Sequence, residues 1–501
     1  MNHSTRVKSR MNVVGKALCI AFVVASSALP GTSGSGRAIA QGPFSDTAVT
    51  FQAPTDIVFI EAPEVIFGDL SRRFPRGSRL VRLRLNPTGA VTGEPAPLAE
   101  KFFAAADPQV SFDGNTLLFA GQVQRNSTWQ IWEISVNGGP SHQLTHCSAG
   151  CFRPAYLPDN RIAYTALQGE SIPRTSEVQI SRGDGADAHP ITFGPGRFEV
   201  ESVLRSGRLL LSAESPLVES HSPKRSRTLY LIDPDGSGLR LLRQDDETNA
   251  VRGDAHELAD GTILFIQREA SRSSDGQLAW IRPGALHATF LGQDQSGYAS
   301  AQVLSDGTLL ASRRTKGNQF DLYQTSLNGS ERSHLLYRSS NSSSVQAVSL
   351  KANPLADVYR SILHPDRKTG RILCLDSYAS SEVANGRLPR HIARVRVLTQ
   401  TQDGEKVLGE APVEVDGSFY ATVPSDVPVR LLLVGAHGEV LKQQRSWMWV
   451  RPGEDRGCFG CHESQALAPE NRSPLSLQRF DTPTDLTVHS PASSNAKRVQ
   501  P

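Results

Sequence analysis

Five stretches in the middle of the chain repeat one pattern: SFDGNTLLFAG (111–121), LPDNRIAYTAL (157–167), LRSGRLLLSAE (204–214), LADGTILFIQR (258–268) and LSDGTLLASRR (304–314). A polar turn of Asp, Ser, Asn or Gly precedes an apolar, β-rich run each time. From Gly114 through Asn160, Gly207 and Gly261 to Gly307 the steps are 46, 47, 54 and 46 residues, the spacing of propeller blades. A second strand pattern follows in WQIWEISVNGG (129–139), TLYLIDPDGSG (228–238) and DLYQTSLNGS (321–330), which carry the Asn-Gly or Asp-Gly hairpin signal. One blade alone leaves an apolar face uncovered, and closing a ring covers it. The pattern predicts an all-β protein with a β-propeller over 41–380, of six blades or seven. AVTFQAPTDIVFIEA (48–62) and the stretch 341–378 supply further blade strands.

The pattern changes after about 380. HIARVRVLTQ (391–400), GSFYATVP (417–424), VRLLLVGAHGEVL (429–441) and RSWMWVRPG (445–453) alternate or run apolar between Gly turns. They predict a small β-sandwich-like domain over 381–472. The Ser-, Pro- and Thr-rich stretch 473–501 lacks periodicity and reads as a disordered tail.

Composition changes the picture most at the N-terminus. Arg6, Lys8, Arg10 and Lys16 precede the apolar run ALCIAFVVASSAL (17–29), and Ala38-Ile39-Ala40 forms a small-residue cleavage pattern. Residues 1–40 therefore read as a signal peptide cut after Ala40, which places the protein in the periplasm or otherwise outside the cytoplasm. Leu18 before Cys19 does not suit lipoprotein attachment, and an uncleaved anchor is the alternative. Cleavage takes the net charge from +3 to about −2. No basic stripe for nucleic acid is left, and no further apolar run suits a membrane span. Five cysteines remain, Cys147, Cys151, Cys374, Cys458 and Cys461, an odd number facing an oxidising compartment.

Cys458-Phe459-Gly460-Cys461-His462 carries the strongest chemistry. The two thiols are spaced to reach the two vinyl groups on one side of a porphyrin, and the adjacent histidine to ligate its iron. Composition alone expects on the order of 0.002 such runs in this chain. The alternatives are a zinc site, which lacks a second ligand pair, and a redox dithiol, which lacks a βαβ setting. Cys458, Cys461 and His462 are thus assigned to one covalently attached haem c. Met448, the one methionine beyond the signal, is a candidate second axial ligand. In a strand it faces opposite Trp447 and Trp449, and a core role competes with ligation. His391 and His437 are further candidates, with surface or turn roles as alternatives.

Two other clusters stand out. SHQLTHCSAGC (141–151) offers His142, His146, Cys147 and Cys151. On a strand the histidines lie roughly 13 Å apart, so a Cys147–Cys151 disulfide is preferred to a metal site. RGDAHELADG (252–261) puts Asp254, His256 and Glu257 near a blade start, as ligands at a channel mouth or as a polar turn. No nucleophile elbow, phosphate loop or HExxH pattern is present.

The repeats over 105–340 resemble the TolB-type propeller. Residues 413–472 resemble the middle domain of the hydrazine synthase alpha subunit family. The shared landmarks are DGSF (416–419), VP-x-DVP (423–428), RSW-x-WVRPGE (445–454), RG-C-x-GCHE (456–463) and APENR (468–472). The resemblance implies a propeller followed by a haem-bearing β-domain. It implies thioethers from Cys458 and Cys461 followed by His462, with Arg456, Glu463 and Arg472 in support. The synthase subunit continues into a domain with a second attached haem. Here no second CxxCH follows, nor a tyrosine just after His462, so hydrazine synthesis itself is not carried over. The expectation is an exported monohaem c-type cytochrome-like protein. It would transfer electrons or bind a small ligand within an assembly, with a periplasmic redox partner. Were it an enzyme, it would be a haem oxidoreductase acting on a small nitrogen or oxygen compound. The alternative is a binding or scaffold propeller with a structural haem.

Overall fold

The computed structural model describes residues 56–487, apart from 170–174, 215–225, 243–249, 270–275, 286, 292–296, 316, 327–332, 354–355, 381–385, 389–390, 402, 445, 460–471 and 480–481. The signal-like segment and the end of the tail lie outside these residues. The protein is all-β with a propeller, as the repeat predicts.

Among the described residues, the propeller part holds six four-stranded units. The first joins the two ends of the ring: Ser343–Ser349 pairs antiparallel with Ile57–Ala62, which continues to Arg79–Leu83 and Ala96–Pro97. The next five begin with the inner strands Ala104–Val110, Cys151–Tyr156, Arg197–Val203, Ala250–Glu257 and Tyr298–Val303. The third and fourth units are linked into one sheet by a single parallel bridge, from Ser176 on strand Thr175–Arg182 to Arg197. Each inner strand neighbours the next, and Ser343–Ser349 closes the circle against Tyr298–Val303 and Ala104–Val110.

The repeated turns connect first and second strands. They need a left-handed residue, supplied by Gly114 (φ 76°), Asn160 (φ 62°), Gly207 (φ 75°), Gly261 (φ 80°) and Gly307 (φ 79°). At Gly207 there is a second reason: a Cβ would lie 2.1 Å from the Asp357 carbonyl oxygen, where the chain leaving the ring crosses this turn.

The C-terminal part is a sandwich of two four-stranded sheets. One contains Asp455–Cys458, Thr369–Cys374, Phe419–Pro424 and Thr484–Asp485; the other contains Gly404–Pro412, Arg394–Thr401, Val429–Val434 and Val440–Gln443. Ile372, Val395, Val397, Phe419, Ala421 and Leu433 fill the space between them.

Two boundaries differ from the sequence reading. Thr369–Cys374, read from sequence as blade material, pairs instead with Phe419–Pro424 and Asp455–Cys458, because alternate residues Ile372 and Cys374 face the sandwich core. The segment after 473, expected to be disordered, folds onto the sandwich as far as it is described. The Leu475 and Ser476 amides donate to the Asp416 carboxylate and the Ser418 hydroxyl, both at 2.9 Å, and Leu486 is buried in the core.

Candidate functional sites at the sandwich edge and along the propeller axis

Strand Asp455–Cys458 runs parallel to Thr369–Cys374 and carries the first thiol of the CxxCH run to the sheet edge. Cys458 is partly buried, and Phe459 is 52% exposed. Cys461 and His462, like Glu463, lie outside the described residues. Cys374 is the register neighbour of Cys458 and is buried in the sandwich core. That pairing, which spacing along the chain does not reveal, accounts for the position of the odd cysteine.

Residues 447–456 form the seam with the propeller. Met448 is buried in the sandwich core, with its backbone bridged to Val429. Trp447 lies under the Arg430 guanidinium, 5.0 Å from the ring centroid. Trp449 points the other way, fully buried, edge-on to Phe193 and Phe198 in the core of the third and fourth blades. Its indole N–H donates to the Gly236 carbonyl at 3.0 Å. Arg451 donates to the Asp235 carbonyl at 2.7 Å and pairs with Asp426 at 2.6 Å. Glu454 accepts from the Gly238 amide, and Arg456 donates to the Leu239 carbonyl. Burial raises the pKa of Glu454 against the pull of Arg456, and burial likewise raises that of Asp426 against Arg451. The landmarks DVP, RPGE and RG thus dock the sandwich on the propeller. Arg472 donates to the Asp416 carbonyl of the DGSF turn at 3.0 Å.

Along the propeller axis the inner strands bulge, and four non-glycine residues there take left-handed backbone: Asp107, Arg153, Asp254 and Gln346. Their groups close a ring of hydrogen bonds. The Gln346 side-chain oxygen accepts from the Asp107 amide at 2.8 Å, and the Asp107 carboxylate accepts from the Arg153 amide at 3.0 Å. Arg153 pairs with Glu201 at 3.0 Å, whose carboxylate accepts from the Asp254 amide at 2.6 Å. Asp254 accepts from the Ala301 amide, and Ser300 accepts from the Gln346 amide at 2.7 Å. Gln346, Asp107, Glu201, Asp254 and Ser300 each accept from a backbone amide at or beside a bulge, and Arg153 joins two of these carboxylate links, so the girdle supports the left-handed backbone.

The girdle separates two cavities. On one side a funnel of about 560 Å³ is lined by Tyr156, His256, Glu257 and Gln302, among others. Glu257 also accepts from the Arg205 amide at 2.7 Å. On the other side lies a chamber of about 100 Å³, walled partly by the loop from Val65 to Phe74. Burial opposes ionisation of Glu199 in this chamber, but Arg227, Arg153 and Arg197 outweigh it and hold its pKa at about 2. Burial is outweighed at Asp107 in the same way, by Arg73 and Arg153.

Of the sequence candidates, Cys147 and Cys151 are joined in a disulfide with Cα atoms 5.9 Å apart, while His142 and His146 are exposed. Asp254 joins the girdle, and His256 and Glu257 face the funnel. His391 is exposed beside the Tyr378 hydroxyl at 3.2 Å, and His437 lies in an exposed turn. Among the described residues no three His, Cys, Asp or Glu side chains are placed to hold a metal ion, and no helix is long and apolar enough to cross a membrane.

Comparison with known proteins supplies the setting. Residues 368–463 match the family described as hydrazine synthase alpha subunit middle domain. The chain is 30% identical over 236 residues to the hydrazine synthase subunit alpha of Kuenenia stuttgartiensis, covering 45% of this chain and 26% of that protein. It therefore spans about a quarter of the length of the curated relative it matches. Its fold is similar to that of the Kuenenia stuttgartiensis hydrazine synthase structure: TM-score 0.74, 18% identity, over 85% of this chain and 72% of that one. TolB from Acinetobacter baumannii is a more distant likeness, at TM-score 0.42 and 14% identity over 60% of this chain and 67% of that one.

Proposed function

With residues 368–463 a hydrazine synthase alpha subunit middle domain set behind a propeller, we propose that this is an exported monohaem c-type protein that works within an assembly. The carrying observation is the placement of Cys458 at the open end of a sheet strand, beside the seam that fixes the sandwich to the propeller. Residues 1–40 act as the export signal.

The residues present fit a covalent haem. Cys458 is partly buried at an edge, a Cβ on Gly457 would meet nothing within 4 Å, and Phe459 is largely exposed. The attachment run therefore starts at the surface of the sheet edge, where a haem would be reached from solvent. Cys458 and Cys461 hold it by thioethers, and His462 ligates its iron. Bound there, haem c supplies one-electron exchange or a site for a small ligand. The chain's own part is positional. Trp449, Arg451 and Glu454 keep the strand bearing Cys458 fixed against the fourth blade. The burial of Met448 supports a packing role, so the reading places no methionine on the iron.

The test is expression of the full chain with a haem-maturation system, followed by oxidised and reduced absorption spectra. Covalently retained haem supports the reading. Cys458→Ala is expected to lose one thioether, and a variant still holding haem by both bonds overturns the assignment. High-spin iron that binds carbon monoxide favours chemistry on a small nitrogen or oxygen compound. Low-spin iron that does not bind it favours electron transfer or a structural haem.

A further inference from the structure

Hydrogen-bond capacity around the chamber is unevenly matched. Arg73, Arg153, Arg197, Arg227 and Arg268 all line it. Arg73 is engaged by the Asp107 carboxylate at 2.6 Å. Glu199 faces three of the others, Arg227 at 2.8 Å, Arg153 at 3.1 Å and Arg197 at 3.6 Å; Arg153 also pairs with Glu201 at 3.0 Å, and Asp69 and Asp254 line the chamber too. Arg197 reaches Glu214 only at 3.8 Å, beyond hydrogen-bond length. Arg268 forms no ion pair among the described residues. Its one hydrogen bond among the described residues runs to the Ala299 carbonyl at 2.8 Å, and its guanidinium lies over Phe67, 4.9 Å from the ring centroid.

The donors left over belong to residues that line this one chamber. The Nε atoms of Arg73, Arg197 and Arg268 are sealed from solvent and meet no acceptor, and they outnumber the one unpaired acceptor among the described residues there, an oxygen of Glu199. Such buried donors each cost stability unless something accepts from them. Burial, reinforced by Arg153 and only partly offset by Asp254, pulls the Arg268 pKa down to about 10, as expected for a cation short of counter-charge. At about 100 Å³ the chamber has room for several water-sized molecules, but not for a nucleotide. Guanidinium groups suit oxygens of an anion through paired, charge-assisted hydrogen bonds.

We propose that the chamber binds a small oxyanion, held chiefly by Arg268 and Arg197 with Arg73 in support. The anion supplies the acceptors that these side chains lack. Arg153, Asp254, Ser300 and Gln346 line both cavities, so entry from the funnel passes between girdle side chains. The Val65–Phe74 loop closes the other end, with Phe67 stacked on Arg268. Ligand and girdle are then coupled, because Arg153 serves both. This inference is independent of the haem assignment.

Sulfate is the probe. Melting of the full chain is followed in sodium sulfate and in sodium chloride at matched ionic strength. A saturable rise in melting temperature specific to sulfate is expected. Arg268→Gln should weaken the apparent affinity tenfold or more, and Arg197→Gln should weaken it by a smaller factor. Equal stabilisation of the native chain and both variants, or none of any, overturns the proposal. Crystals grown with selenate give a readout that needs no variant. An anomalous peak within hydrogen-bond reach of Arg268 supports the site, and a chamber holding only water overturns it.

Discussion

The girdle and the docking seam hold parts of one molecule together by opposite means. The girdle is ionic and redundant in form: six inner strands are tied by carboxylates, an arginine, a glutamine and a serine, each accepting from or pairing with its neighbour. The seam has one apolar anchor, Trp449, ringed by donors to backbone carbonyls at Asp235, Gly236 and Leu239. Removing a charged girdle member strands a buried charge, whereas trimming the seam removes packing or one neutral hydrogen bond. The two should therefore differ in the size of their mutational effects and in the sign of their response to acid.

The largest effect is expected at Arg153. It pairs with Glu199 and Glu201, whose side chains are 1% and 0% exposed. Arg153→Met leaves both carboxylates short of their partner and should cost about 3–5 kcal/mol. Denaturant unfolding measures it, and a loss below about 1 kcal/mol would show that the girdle is not holding the ring. Trp449→Phe is milder. It keeps a ring between Phe193 and Phe198 but orphans the buried Gly236 carbonyl, for about 1–3 kcal/mol. Calorimetry should then show the sandwich melting ahead of the propeller; a single unshifted transition would argue against the seam as the anchor.

Acid should separate the two regions by sign. Glu199 titrates at about 2, below the ordinary carboxylate value of 4.5, so its contribution is full above that value and is lost as pH falls toward 2. Asp107 behaves in the same direction. Glu454 and Asp426 have raised pKa values, so their ionised forms cost stability, and that cost is relieved as they take up protons on acidification. Stability measured from pH 6 to 3 should fall, and Glu199→Gln should flatten the fall. A Glu454→Gln variant should steepen it slightly. A slope unchanged by Glu199→Gln contradicts the ionic tie between Glu199 and the girdle's Arg153.

The repeat made the propeller legible because its turns demand particular residues. Gly or Asn must sit where the backbone turns left-handed, so the hairpins show at fixed spacing. The girdle was hidden because its members share a backbone position and not a residue type. Yet Asp107, Arg153, Asp254 and Ser300 each lie seven residues before the turn residues Gly114, Asn160, Gly261 and Gly307. Reading that offset across the repeats would have found four of the positions together. In the sandwich, CxxCH and the family landmarks stood out as letters, but their contacts did not. Alternation put Met448 opposite both tryptophans, and it does lie opposite Trp449, whereas Trp447 packs against Arg430 of the sandwich; nothing local said that Trp449 enters the propeller. The described part of the last segment was misread because one buried leucine, Leu486, and hydrogen bonds from the Leu475, Ser476 and Leu486 amides dock it without any periodic pattern.

The smallest expected effect tests what the odd cysteine does. Cys374 is the register neighbour of Cys458, yet its burial in the sandwich core assigns it to packing, apart from the attachment run. Cys374→Ala should cost about 1 kcal/mol, the transfer and cavity terms for a small buried side chain. It should leave covalent haem intact by both bonds, in contrast with Cys458→Ala. A pyridine haemochrome spectrum of each purified variant distinguishes them, because its band position depends on how many vinyl groups have become thioethers. Loss of a thioether in Cys374→Ala would mean that the neighbouring strand takes part in attachment, and that the sandwich edge, like the girdle, depends on partners supplied across strands.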